Sequence, residues 1–276
     1  MTYRSPRRTT LLIVGGVLLM TFAMFPYLIA FLGSWLPDSA IVRGAFFEVP
    51  KYSLANYVGL FQLTNFGRAI LNSFINATLS ALLAVVISAP GAFAFSRIKF
   101  RLKRLVLVLI LVTQMFPGAL LVLSLVRIIQ GLGLLNTYGG LALAYLTQTI
   151  PVSLWLLIVF FQNVPMELDE AARVDGCSYW QIFYRVIIPL SLAGISAILF
   201  FAFIAAWNDL LYILVLAQGQ SMATTQVFLY SMVGQFTTSW GLLLTASVMS
   251  TIPAVVLYFI VQKSLIGGIL AGSVKG

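Results

Sequence analysis

Six apolar stretches, at approximately 10–33, 69–95, 105–127, 139–162, 187–206 and 241–262, decide what this chain can become. Each is about as long as the ~20 residues that an α-helix needs to cross the hydrocarbon core of a bilayer. Inside lipid every backbone N–H and C=O must be satisfied by the protein itself, and a helix does so within its own segment. A β-barrel would show ~10-residue segments of alternating polarity, whereas these runs are continuous. Hiding them in a water-soluble core fails on composition: the chain is 61% hydrophobic and 8% charged, against about 25% charged residues in soluble domains. The expected fold class is all-α, a polytopic membrane protein with six transmembrane helices. Residues 1–276 read as one domain, with no linker and no convincing internal repeat.

Lys and Arg collect in loops retained in the cytoplasm, so their placement gives a side. Twelve of the sixteen fall on one side: Arg4, Arg7 and Arg8; Arg97, Lys99, Arg101, Lys103 and Arg104; Arg173 and Arg185; Lys263 and Lys275. Arg43, Lys51, Arg68 and Arg127 fall on the other. Both termini are therefore expected in the cytoplasm. The first apolar run is too long for a cleaved leader and lacks a small-residue cleavage site, so it reads as a retained span. The net charge of +9 forms no contiguous soluble basic face, which excludes a nucleic-acid partner. Cys177 is the only cysteine, so no intrachain disulfide forms.

The loop at 163–186 holds most of the acids: Glu167, Asp169, Glu170 and Asp175, out of seven in the chain. Pro165 suits the first turn of a helix, and acids near a helix N-terminus are favoured by its positive end. Leu168, Ala171, Ala172 and Asp175 share a stripe at helical spacing. Gly176 is placed to end that helix in a left-handed conformation. Ser178 with Gln181 three residues on reads as a capping box opening a second helix toward Pro189. The product is a helix–turn–helix elbow at the cytoplasmic face, either a docking surface or an ordinary surface turn with Asp169 and Arg173 as an i,i+4 ion pair. Elsewhere, 34–68 reads as short interfacial helices, and 207–240 as a docking surface or a re-entrant stretch.

Glu170-Ala171-Ala172, Gly176 and Val186-Ile187-Ile188-Pro189 together resemble the EAA loop of ABC importer permeases. Ile150-Pro151 to Phe160-Phe161, Trp207-Asn208-Asp209, Asn72-Ser73, Ile252-Pro253 and the ending Ala271–Gly276 resemble the carbohydrate branch of that family, its MalG-like subunits. The resemblance implies a transport subunit, not an enzyme, in a prokaryotic inner or plasma membrane. It implies a second permease subunit, an ABC ATPase dimer holding ATP and Mg, and an extracytoplasmic sugar-binding protein; no cofactor is expected on this chain itself. The elbow then becomes a coupling helix, with Glu170 making a charge contact, Ala171 and Ala172 packing closely, Asp175 alongside, and Gly176 making the turn.

A path for a polar solute needs polar groups at depth. Gln114 and Gln148 each lie about ten residues from a span end, near the midplane at ~1.5 Å per residue. Asn76 and Thr251 are further candidates, with Tyr145 and Trp155 as rings on which a sugar stacks; Pro117 and Pro151 are expected to kink their helices nearby. The same polar residues equally serve as hydrogen bonds between helices. Asn208 and Asp209 read as an outer gate or binding-protein contact, or as a helix cap. No metal-ligand cluster, histidine or nucleotide loop is present. Importers of glycerol phosphate or another polar solute, and an ion-coupled secondary carrier, stand as alternatives; the carrier lacks the expected intramembrane acid.

Overall fold

A computed structural model describes residues 6–47, 52–217, 219–234 and 238–273. Arg4, Lys51 and Val274–Gly276, used above, lie outside the described residues. In chain order the helices are α1 (Pro6–Gly33), α2 (Asp38–Val42), α3 (Ala55–Leu63), α4 (Phe66–Arg97), α5 (Lys103–Val112) and α6 (Gly118–Gly131). They continue as α7 (Tyr138–Gln162), α8 (Met166–Val174), α9 (Tyr179–Ile182), α10 (Ile188–Leu190), α11 (Leu192–Trp207), α12 (Leu211–Leu216), α13 (Thr225–Met232) and α14 (Trp240–Ser273). A 3₁₀ turn follows α5 at Thr113–Met115, and a π-helical segment, Phe183–Ile187, joins α9 to α10. Four helices (α1, α4, α7 and α14) are long and apolar enough to cross a membrane, and two bent pairs bring the spans to as many as six.

Contacts gather the chain into two compact units interleaved in sequence. The first holds residues 1–67 and 229–251. The stretch expected as short interfacial helices forms α2 and α3 here. Asn56 donates to the carbonyls of Ser34 (3.0 Å) and Leu36 (2.9 Å), and the Asp38 carboxylate accepts from the N–H of Gly241 (2.7 Å) at the start of α14. Leu36, Ala40 and Ile41 make its small core. Helix α1 is exposed along nearly all its length.

The second unit, residues 68–228 and 252–276, carries the larger cores. Its frame is α4. Ser73, Ala77, Ala81, Ala84, Ser88 and Ala92 are all buried, three or four residues apart along one face. Small side chains at that spacing let neighbouring backbones approach, the usual means of helix association where lipid removes the hydrophobic drive. Near the start of α4, Asn72 donates to the carbonyls of Ser221 (3.0 Å) and Ala223 (2.9 Å) and accepts from the Tyr138 hydroxyl (2.7 Å). Ser73 accepts from the Thr225 N–H at 2.8 Å. Residues 221–225 are thus pinned to α4 by a pair of residues that sequence reading treats only as a motif.

Two spans are bent pairs of helices, the first at Pro117, where a kink is expected. The run at 105–127 breaks at Phe116–Pro117, and its halves meet at 103°. The run at 187–206 becomes α11 only from Leu192, after a 78° bend at Ser191. Pro151, by contrast, sits inside an unbroken α7. Helices α7 and α11 pack closely at Gly194, where an added Cβ would enter the Phe160 ring. Gly194→Ala should therefore destabilise by about 1–3 kcal/mol, the usual cost of overpacking. A melt of the detergent-purified protein checks this, and an unchanged midpoint would remove the constraint.

Candidate functional site

The elbow builds itself from local rules. Helix α8 opens after Pro165 with Glu167 and Asp169 in its first turn. It closes in a full Schellman motif: Gly176 takes φ +80, its N–H reaches the carbonyl of Arg173 (3.0 Å), and the Cys177 N–H reaches that of Ala172 (2.9 Å). The expected capping box is formed. Ser178 Oγ accepts from the Gln181 N–H (3.4 Å), and Gln181 Oε1 accepts from the Ser178 N–H (2.7 Å).

What fastens the elbow is an ion pair that local reading misses. Asp169 does not pair with Arg173, four residues on. Its carboxylate meets Arg97, at the end of α4, with Nε 2.5 Å from Oδ2 and side chains only 10% and 4% exposed. Arg97 Nη2 also donates to the carbonyl of Val164 at 2.8 Å, so one guanidinium holds both the elbow and the turn that enters it. Arg173, released from Asp169, lies over the Tyr179 ring at 4.5 Å. Phe93 of α4 packs on Phe183 at 5.2 Å. Beside the pair lies a cleft of about 400 Å³, lined by Arg97, Lys99, Glu170 and Arg173 among others.

The other elbow residues face outward. Glu170, Ala171, Asp175 and Gly176 are exposed, while Ala172 is half-buried against the core. Val174 is 89% exposed, and Met166, Trp180 and Tyr184 are exposed too. Large apolar side chains beside acids on an exposed elbow form a surface suited to a protein partner. Val174 and Trp180 are functional candidates that sequence reading passes over; the signal for Val174 is an apolar residue at the end of a short helix rich in acids.

The path candidates separate into three settings. Gln114 and Gln148 come together at the break in the third span, with Gln114 Nε2 donating to the Gln148 carbonyl at 3.3 Å. Tyr145 is enclosed rather than open to a sugar: it is 1% exposed, donates to Asp209 Oδ2 at 2.8 Å and lies 5.5 Å from the Tyr212 ring. Asn76 is buried beside the Tyr145 hydroxyl without a hydrogen bond of ordinary geometry. Trp155 is 50% exposed on the surface of α7, and Thr251 is exposed and donates to the Ser247 carbonyl at 2.9 Å. Asn208 is exposed, whereas Asp209 accepts from the Tyr212 N–H (2.9 Å) in the first turn of α12, the arrangement of a helix cap. Burial pushes the Asp209 carboxyl above the usual carboxylate range, and hydrogen bonds from Tyr145 and Tyr212 pull it part of the way back.

Breaking a buried pair by removing one partner strands a charge, whereas replacing both is far milder. Arg97→Leu and Asp169→Leu should each destabilise by about 3–5 kcal/mol, and the double variant should recover most of that loss. A double-mutant cycle on the purified protein checks it; additive losses would mean that the two side chains act independently.

Residues 90–270 match the family described as the binding-protein-dependent transport system inner membrane component. The chain is 34% identical over 273 residues to the trehalose transport system permease protein SugB of Mycobacterium tuberculosis, covering 98% of this chain and 99% of that protein. It is 35% identical over 269 residues to the trehalose/maltose transport system permease protein MalG of Thermococcus litoralis, covering 96% of each. Its fold is similar to a chain in the crystal structure of a bacterial ABC transporter involved in the import of the acidic polysaccharide alginate. That match has a TM-score of 0.82 at 22% identity and covers 95% of this chain and 99% of the other.

Proposed function

This chain belongs to the binding-protein-dependent transport system inner membrane component family, and on that premise we propose that it takes up a sugar, a disaccharide or short oligosaccharide, driven by ATP hydrolysed in a separate ATPase. It is a membrane transport subunit that works with a solute-binding protein. The trehalose and maltose systems of its relatives support the sugar. ATP and Mg belong to the partner ATPase dimer, and a second permease subunit completes the membrane path. The distribution of Lys and Arg supports cytoplasmic termini and a cytoplasmic elbow.

The observation that carries the coupling role is the elbow itself: a rigid hinge between two capped helices, exposed on its acidic and apolar face and fixed from behind by Arg97. An ATPase that grips Glu170, Val174 and Trp180 and then moves displaces α8. The Arg97–Asp169 pair and the Phe93–Phe183 contact hand that displacement to α4. Helix α4 moves as a rigid body because its inner face is closely packed, and rigid-body rotation of packed elements is a common way to switch between two states.

Glu170→Lys reverses the charge at the exposed face without touching the buried pair. The expected result is an assembled complex whose ATP hydrolysis is no longer stimulated by loaded binding protein. Its sugar uptake should fall by about 5–150-fold, the span of ordinary coupling free energies. Wild-type uptake in that variant would remove Glu170 from the coupling surface.

A further inference from the structure

We infer that the break in the third span builds a subsite for an uncharged sugar ring, with Gln114, Gln148, Thr113 and Thr147 as hydrogen-bonding groups, Phe116 as an apolar wall and Gly118 leaving the room that the Gln148 amide occupies; this rests on the sugar-import reading above. Interrupted backbone at membrane depth is tolerated where it is buried in protein or lines a water-filled cavity. Here the 103° turn at Phe116–Pro117 opens a cleft of about 260 Å³ beside the middle of α7. Gln148 is the eleventh residue of α7, which runs Tyr138–Gln162, and so lies ~15 Å from the helix start.

The chemistry of the cleft is selective. No charged side chain lines it. Carboxamides both donate and accept, as the hydroxyls of a sugar do. The hydroxyls of Thr113 and Thr147 donate to the carbonyls of Ile110 (2.6 Å) and Ala144 (2.7 Å), which leaves their oxygens as acceptors. Gln114 spends one N–H on the Gln148 carbonyl, which leaves its second N–H and its oxygen available for a ligand. The Gln148 amide in turn crowds the start of α6: a Cβ on Gly118 would stand 3.0 Å from Gln148 Nε2 and 3.7 Å from the Tyr212 hydroxyl. That hydroxyl is buried without a hydrogen-bond partner, so the amide and an unpaired donor converge behind the same wall. A phosphate-bearing solute would meet no cation here, and a desolvated anion without one is strongly disfavoured.

The test uses cells in which the chromosomal copy is replaced by Gln148→Ala, Gln114→Ala or Gly118→Ala. Uptake of labelled trehalose, maltose and glycerol 3-phosphate is measured and normalised to the amount of assembled complex by immunoblot. The wild type should carry a neutral sugar and exclude the phosphate. Each variant should lower the maximal rate and shift the ratio of trehalose to maltose transport by about three- to tenfold, the size of one or two lost hydrogen bonds. Variants that lower both sugars in the same proportion, or neither, overturn the subsite while leaving the sugar reading intact. A wild type that carries no neutral sugar overturns both.

Discussion

Water is absent from the hydrocarbon core, and the obligation to pair every backbone group inside the protein governs the rest of the molecule. It forces helices, and it makes any departure from a helix informative. The chain departs twice in its spans, at Phe116–Pro117 and at Ser191. The first break creates the uncharged cleft that collects Gln114 and Gln148. The second turns the chain from its elbow into α11.

Helix α4 links these regions. At one end Asn72 and Ser73 clamp the segment after α12; at the other Arg97 holds the elbow. Between them runs the face of alanine and serine that lets α4 pack closely against its neighbours. Large side chains there would hold the helices apart and soften the transmission of any push. The Arg97–Asp169 pair is costly to bury, and such pairs are better understood as fixing a geometry than as adding stability.

Features set by near neighbours were legible in the sequence. The caps of the elbow depend on Pro165, Gly176, Ser178 and Gln181, all within a turn or two of what they cap. The apolar runs marked the spans closely, as in α7. Contacts between distant segments were not legible. Asp169 has Arg173 at the spacing that local rules favour, yet Arg97 from another helix takes it, because the elbow folds back onto α4. Tyr145 looks like a ring for a sugar until its hydroxyl is seen to donate a hydrogen bond to Asp209, past the end of α11. Proline alone does not set a break: Pro117 stands at a 103° turn, while Pro151 lies within one continuous helix. The interleaving of the two compact units is likewise invisible to composition, since each is assembled from separate stretches of chain.

The π-helical segment Phe183–Ile187 sits between α9 and the bend at Ser191. A π turn holds extra backbone relative to an α turn, in effect an insertion accommodated without breaking the rod. Each residue of an α-helix advances the side chains by about 100° around the axis. The segment therefore acts as a phase adjuster. It decides which compass direction the aromatic side chains of α9 face when α11 is held in its packed orientation. Lengthening or shortening the chain by one residue there would swing the elbow's outward face by about 100° around the axis.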